Sequence, residues 1–148
     1  MTLYFEDLRQ GKTYELGSVT VDEEDMVSFA RRFDPQPFHI DPVAAKASSF
    51  GELVASGWYT ISLFMRLYVD RLLLDSSSQG SPGGDEFRWH APVRAGDELT
   101  ARLHVVETRP SGKRPDRGTA VMRGQLLRNG DPVLTIGFFG LFGRRPAA

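Results

Sequence analysis

Over the first third of the chain the apolar positions recur with a helical period. From Thr20 to Phe33, Met26, Phe29, Ala30 and Phe33 fall at i, i+3, i+4 and i+7, acids fill the first turn, and Thr20 and Glu23 have capping-box spacing. An amphipathic helix is expected there. The next stretch, FDPQPFHIDP from Phe33 to Pro42, carries Pro35, Pro37 and Pro42. Proline fixes φ and removes a backbone donor, so the spacing predicts a stiff, non-helical loop up to its end. There Asp41 and Pro42 form an N-cap and first-turn pair for a short helix, VAAKAS. A longer helix is expected from Ser56-Gly57 to about Leu74, and Trp58, Ile61, Phe64, Met65, Tyr68 and Leu72 cover more than one stripe of it. Such a helix must be wrapped by other structure.

DSSSQGSPGGD, at about residues 75–85, reads as a flexible polar connection. From Glu86 onward the period changes to two. Leu99, Ala101, Leu103 and Val105 alternate with Thr100, Arg102, His104 and Val106, as in a half-buried strand. PSGKRPDRG reads as a hairpin loop, and TAVMRGQLL and PVLTIGFFGLF are further strands joined through Asn129-Gly130, a strong two-residue hairpin signal. With a short strand near Tyr14 to Val19, the order predicts a single α+β domain over residues 1–148, its sheet of about five strands curled around the long helix, and a C-terminal tail at about 143–148. No internal repeat, heptad pattern or second domain is visible. A sheet of this size leaves bare edges, which pairing with a second copy would cover.

Composition narrows the function classes. The chain has 148 residues, 41% hydrophobic and 25% charged, enough for one globular core. Its net charge of -1 gives no bulk attraction to nucleic acid or an anionic membrane. The absence of cysteine excludes disulfides, thiolate nucleophiles and cysteine-based zinc sites, and fits a reducing cytoplasm. No secretory signal is recognised in MTLYFEDLRQGK, and the apolar run Leu53 to Leu74 is interrupted by Arg66, Asp70 and Arg71, so a cytoplasmic location is expected.

The candidate chemistry lies in two places. Asp34 and His39 bring a carboxylate and an imidazole, the commonest general acid/base groups, into one rigid segment. The plainer alternative is that Asp34 opens an Asp-Pro turn while His39 packs against Phe38. Metal binding by His39 and Asp41 is a weaker reading, because His90 and His104 are distant in sequence and no HxH or HxxxH pattern occurs. At the long helix, Ser56-Gly57 places unpaired N–H groups and the positive end of the macrodipole where an oxyanion can bind, and Gly57 permits close approach. A simple N-cap is the alternative. Together, an acid/base pair and an oxyanion site are the parts that hydration of an α,β-unsaturated thioester requires.

These residues carry a resemblance. FARRFDPQPFHIDPVAAKASSFGELVASGW followed by APVRAGDELTARLHV resembles the MaoC-like dehydratase family, the (R)-specific enoyl-CoA hydratases of the hot-dog fold, from about Thr13 to Phe142. The resemblance implies that Asp34 and His39 are the catalytic pair and that Gly57 N–H, beside Ser56, is the oxyanion donor. It also implies an acyl-CoA substrate, no metal or redox cofactor, and a homodimer or dimer-based oligomer with the site where two units meet. The chain departs from the family pattern twice: Ser56 stands where many members have His, and Met65 stands where some carry a serine that bonds the catalytic aspartate, with Ser62 one turn earlier. Trp58, Tyr59, Phe64 and Met65 are candidates for an acyl pocket or for the helix core. Arg88, Arg94, Arg109, Lys113 and Arg114 are available for CoA phosphates or as surface charge. A hot-dog thioesterase, whose carboxylate on the long helix would have to be Asp70, and a non-catalytic acyl-CoA-binding subunit are the competing functions.

Overall fold

The computed structural model describes residues 1–147, so Ala148, the end of the expected tail, lies outside the described residues. The first strand, β1 (Thr13–Thr20), runs through Thr20, which is therefore not a helix cap. Asp22 takes that role for α1 (Glu23–Phe33), its carboxylate accepting the Asp25 N–H at 2.9 Å. The capping-box spacing was satisfied by chance: Thr20 is held in extended conformation opposite Glu98. Met26 and Ala30 are buried on the inner face of α1, whereas Phe33 at its end is exposed.

Four-residue α2 (Pro37–Ile40) and five-residue α3 (Pro42–Lys46) follow, then α4 (Gly57–Arg71). The remaining strands are β2 (Gly84–Trp89), β3 (Glu98–Pro110), β4 (Arg117–Arg128) and β5 (Asp131–Gly143). All pairings are antiparallel, in the order β1-β3-β4-β5-β2. The β4–β5 turn has positive φ at both Asn129 and Gly130, which twists the two strands with the correct hand. In β3 the expected alternation holds: Leu99, Ala101, Leu103 and Val105 are fully buried.

This inner face wraps α4. Phe64, 1% exposed, lays its ring on the backbone of Gly124 in the middle strand β4. A Cβ at Gly124 would stand 2.7 Å from Phe64 Cε2, so the bare glycine sets how closely helix and sheet approach. Tyr59 and Tyr68 are buried on either side, while Trp58 and Met65 remain about half exposed. The result is the hot-dog arrangement that the resemblance implies.

Residues 76–83, expected as a free connection, run beside β5. Gln79 N–H donates to Leu141 O at 2.7 Å, Leu141 N–H to Gly80 O at 2.9 Å, and Gly143 N–H to Ser77 O at 2.9 Å. Polar composition hid this, because most of these bonds use main-chain groups, with Ser77 Oγ adding one to Gly143 O at 2.9 Å. They lead into β2, an edge strand exposed along its whole length. No helix among the described residues is long and apolar enough to cross a membrane.

Truncating Phe64 to Ala is expected to cost about 3–5 kcal/mol through lost burial and the cavity left over Gly124. Urea unfolding checks this; a midpoint within error of wild type would show that the helix is held elsewhere.

Candidate active site

Pro35 disfavours helical backbone at the residue before it, so α1 stops and Asp34 becomes its C-cap, with φ -150° and ψ 66°. Its N–H still bonds Ala30 O at 2.7 Å, which fixes where the side chain leaves the helix. The expected non-helical loop is corrected here. Pro37 occupies the first position of α2, where the missing N–H would have no helical partner anyway, and the chain makes one turn before Asp41. That turn swings His39 inward, to 6% exposure.

His39 Nδ1 lies 2.7 Å from Val54 O. A carbonyl oxygen only accepts, so Nδ1 carries a hydrogen, and in the neutral ring Nε2 presents its lone pair. Nε2 is 3.3 Å from Asp34 Oδ2. Phe38 packs on the imidazole at 4.5 Å in an edge-on arrangement, so the plain packing role exists alongside the polar one. Asp41 is turned elsewhere: its carboxylate accepts from Val43 and Ala44 N–H at the start of α3, as its position before Pro42 predicts.

Opposing effects act on Asp34. Burial pushes its carboxyl up, but the hydrogen bonds from Gln36 and Ser56 outweigh burial and hold it below the usual carboxylate range. The Gln36 bond, Nε2 to Oδ1, is 2.7 Å long. Ser56 is completely buried and caps α4, its Oγ accepting the Trp58 N–H at 3.3 Å, which leaves the hydroxyl hydrogen for Asp34. This bears on the departure at Met65. Met65 faces an apolar cavity, and Ser62 donates to Trp58 O at 2.8 Å, so the hydroxyl beside Asp34 comes from Ser56, one residue before the glycine.

Gly57 is the first residue of α4, and its N–H has no protein acceptor among the described residues. Gly57, Asp34 and His39 border one open cleft of about 420 Å³. The side of Gly57 that a Cβ would occupy is filled by the indole of Trp89. Two residues absent from the sequence reading, Gln36 and Trp89, therefore join the site, as does His90, which the sequence reading set aside as distant and whose Nε2 is 2.8 Å from Thr135 Oγ1. The run WHAPV, at the end of an exposed strand, was the available signal.

The other candidates separate. Trp58 borders the cleft; Phe64 and Met65 border the apolar cavity; Tyr59 belongs to the core, its hydroxyl donating to Asp25 Oδ2 at 2.6 Å. Arg94 pairs with Glu52, Arg109 with Glu107, and Arg114 with Asp116. Arg109 lies near the end of β3, roughly 35 Å along the strand from Glu98 at about 3.3 Å per residue, and Lys113 and Arg114 lie in the loop beyond it, at the end away from the cleft residue Val93. Asp70 pairs with Arg66 on an exposed turn, roughly 20 Å along α4 from Gly57.

Comparison with known proteins supplies the context. Residues 7–123 match the family described as MaoC like domain. The chain is 32% identical over 117 residues to a 3-hydroxybutyryl-CoA dehydratase of Methylorubrum extorquens, covering 76% of this chain and 69% of that one. It is 27% identical over 139 residues to an (R)-specific enoyl-CoA hydratase of Rhodospirillum rubrum, covering 90% and 91%. The crystal structure of a MaoC-like dehydratase from Rhodospirillum rubrum superposes with a TM-score of 0.88 at 39% identity, covering 98% of this chain and 99% of the other.

A depressed carboxyl contributes stability that is complete above its unfolded pKa, about 3.9, and is lost as pH falls through the lower folded value. The stability difference between wild type and Asp34→Asn is therefore expected to be flat from neutral pH to about 5 and to change below about 4. Denaturant midpoints across that range check this, and a difference constant down to pH 3 would contradict the assignment.

Proposed function

We propose that this chain, which belongs to the MaoC-like domain family, is a hydro-lyase that adds or removes water across the double bond of a 2-enoyl thioester. In this reading Asp34 and His39 are the acid/base pair and Gly57 N–H is the oxyanion donor, with Ser56 beside both. The observation that carries it is the Asp34–His39 pair, 3.3 Å apart, opening into the same cleft as an unpartnered helix N-terminal N–H. Relatives named as an enoyl-CoA hydratase and a 3-hydroxybutyryl-CoA dehydratase support the reaction class and a CoA thioester.

The chemistry follows from the hydrogen inventory. An ionised carboxylate and an Nε2 lone pair both accept, so a water donates one hydrogen to each and directs its own lone pair at the substrate. Its oxygen bonds to C3 and its proton passes to the pair. The C2–C3 π electrons move toward the thioester, whose oxygen gathers charge opposite Gly57 N–H and the α4 dipole. A proton from the pair then bonds to C2, so H and OH have been added and the pair is restored. Dehydration is the reverse. The reading requires no metal or redox cofactor.

The acyl tail is assigned to the apolar cavity of about 250 Å³ beside α4, bordered by Ile61, Met65, Tyr68 and Phe138. Those helix positions lie on the stripe that begins at Gly57, so a chain leaving the thioester can follow the helix. A homodimer is part of the same reading. Trp58, Phe87 and Trp89, each more than a third exposed, pack together at the β2 edge with ring centres 5.1–5.5 Å apart, an apolar surface that a second copy would cover. A cytoplasmic setting accords with the CoA substrate. The position of Asp70 gives no support to thioester hydrolysis.

Crotonyl-CoA is expected to lose its conjugated-thioester absorbance without release of free thiol, and Asp34→Asn or His39→Ala is expected to slow this by about 10²- to 10⁴-fold. Near-normal hydration by both variants would overturn the assignment, and thiol release would point to hydrolysis. Met65→Trp, which narrows the cavity, is expected to lower kcat/KM for a long enoyl-CoA at least about tenfold more than for crotonyl-CoA. Equal effects on a chain-length series would place the tail elsewhere.

A further inference from the structure

We infer that Trp89 is a positioning residue that holds the Gly57 donor in place; the inference rests on the role proposed for Gly57. Gly57 has no positive φ, so its backbone does not require glycine. What requires it is Trp89. A Cβ at Gly57 would stand 2.6 Å from the indole Nε1 and 2.7 Å from Cζ2, closer than atoms can pack. The same indole donates its N–H to Gly57 O at 3.0 Å. One side chain thus grips the first residue of α4 twice, by a hydrogen bond at its carbonyl and by contact at its Cα.

Ala55 N–H bonds Val93 O at 2.8 Å just before α4, but past that point the first turn relies on local bonds. Helix ends fray, and the first turn is tied locally by a 3.3 Å bond from Trp58 N–H to Ser56 Oγ and a 3.1 Å bond from Thr60 N–H to Ser56 O. Trp89 brings an anchor from outside the helix. It ends β2, where it stands opposite Leu134, a fully buried residue of β5, so the indole is carried by the sheet. Trp58 braces it from the solvent side, edge-on at 5.5 Å and 82°. The sheet thereby fixes the direction in which Gly57 N–H enters the cleft.

A donor aimed in advance at developing charge acts on the transition state more than on bound substrate. Losing the indole N–H while keeping an aromatic ring should therefore appear in kcat and not in KM. Trp89→Phe is expected to lower kcat on crotonyl-CoA about 10- to 100-fold, with KM within about twofold and an unchanged unfolding midpoint. Hydrogen exchange at the Thr60 amide, which donates to Ser56 O in the first turn of α4, should accelerate at least about tenfold in the same variant, while β3 core amides are unaffected.

Unchanged kcat together with unchanged Thr60 exchange would overturn the inference, as would a kcat loss matched by an equal rise in KM. Should Trp89→Phe unfold, Gly57→Ala in the otherwise native chain is the second test: its Cβ must displace the indole, so tryptophan fluorescence and kcat are expected to change together, and a native emission spectrum would refute the clamp. If wild-type protein hydrates no enoyl-CoA, the hydratase reading falls by itself, while the exchange measurement still decides whether Trp89 holds Gly57.

Discussion

The contact between the Phe64 ring and the bare backbone of Gly124 sets the depth at which α4 lies in the sheet, and the position of everything at the start of that helix follows from it. Dispersion falls steeply with separation, so a ring seated directly on a strand defines a distance more sharply than two flexible side chains would. With the middle of α4 fixed, Ser56 and Gly57 emerge at one place along the rim, near Val93, where Ala55 N–H bonds Val93 O at 2.8 Å. The acid/base loop then has to meet a target whose coordinates are already determined.

The loop meets it through conflicts that the local structure resolves. Asp34 is shielded enough for burial to oppose its charge, yet Gln36 and Ser56 aim donors at it and keep it ionised. His39 is almost enclosed, and its single internal bond leaves one nitrogen for the cleft. Neither side chain is satisfied by the other alone. That is the condition in which a small polar molecule is bound in a defined orientation.

Features carried by nearest neighbours in sequence were legible before any coordinates. The alternation in β3, the Asn129-Gly130 turn and the Asp41-Pro42 cap each depend on a few adjacent residues, and each appears where the pattern puts it. The proximity of Asp34 and His39 belongs to this class, since five residues separate them. Illegible features depend on register between distant segments. Thr20 looked like a cap until β1 claimed it, and nothing near Gly57 announces an indole 32 residues away. The segment 76–83 shows the same limit from the other side: Ser, Gly and Gln advertise mobility, but composition does not count main-chain bonds to β5. Pro37 misled for a subtler reason, because the residue that stops one helix can begin another.

The partner that selects the tautomer of His39 is a main-chain carbonyl, Val54 O, and the N–H groups of Asp34 and His39 also end on carbonyls, those of Ala30 and Gln36. A carbonyl survives every substitution of the residue that carries it. Residues 30 and 54 can therefore drift within limits of size while the imidazole keeps its proton on the same nitrogen, and what a lineage must conserve at these points is the path of the chain. Inheritance of shape in place of side chains is one physical route by which proteins only 28–39% identical to this one can retain a common fold.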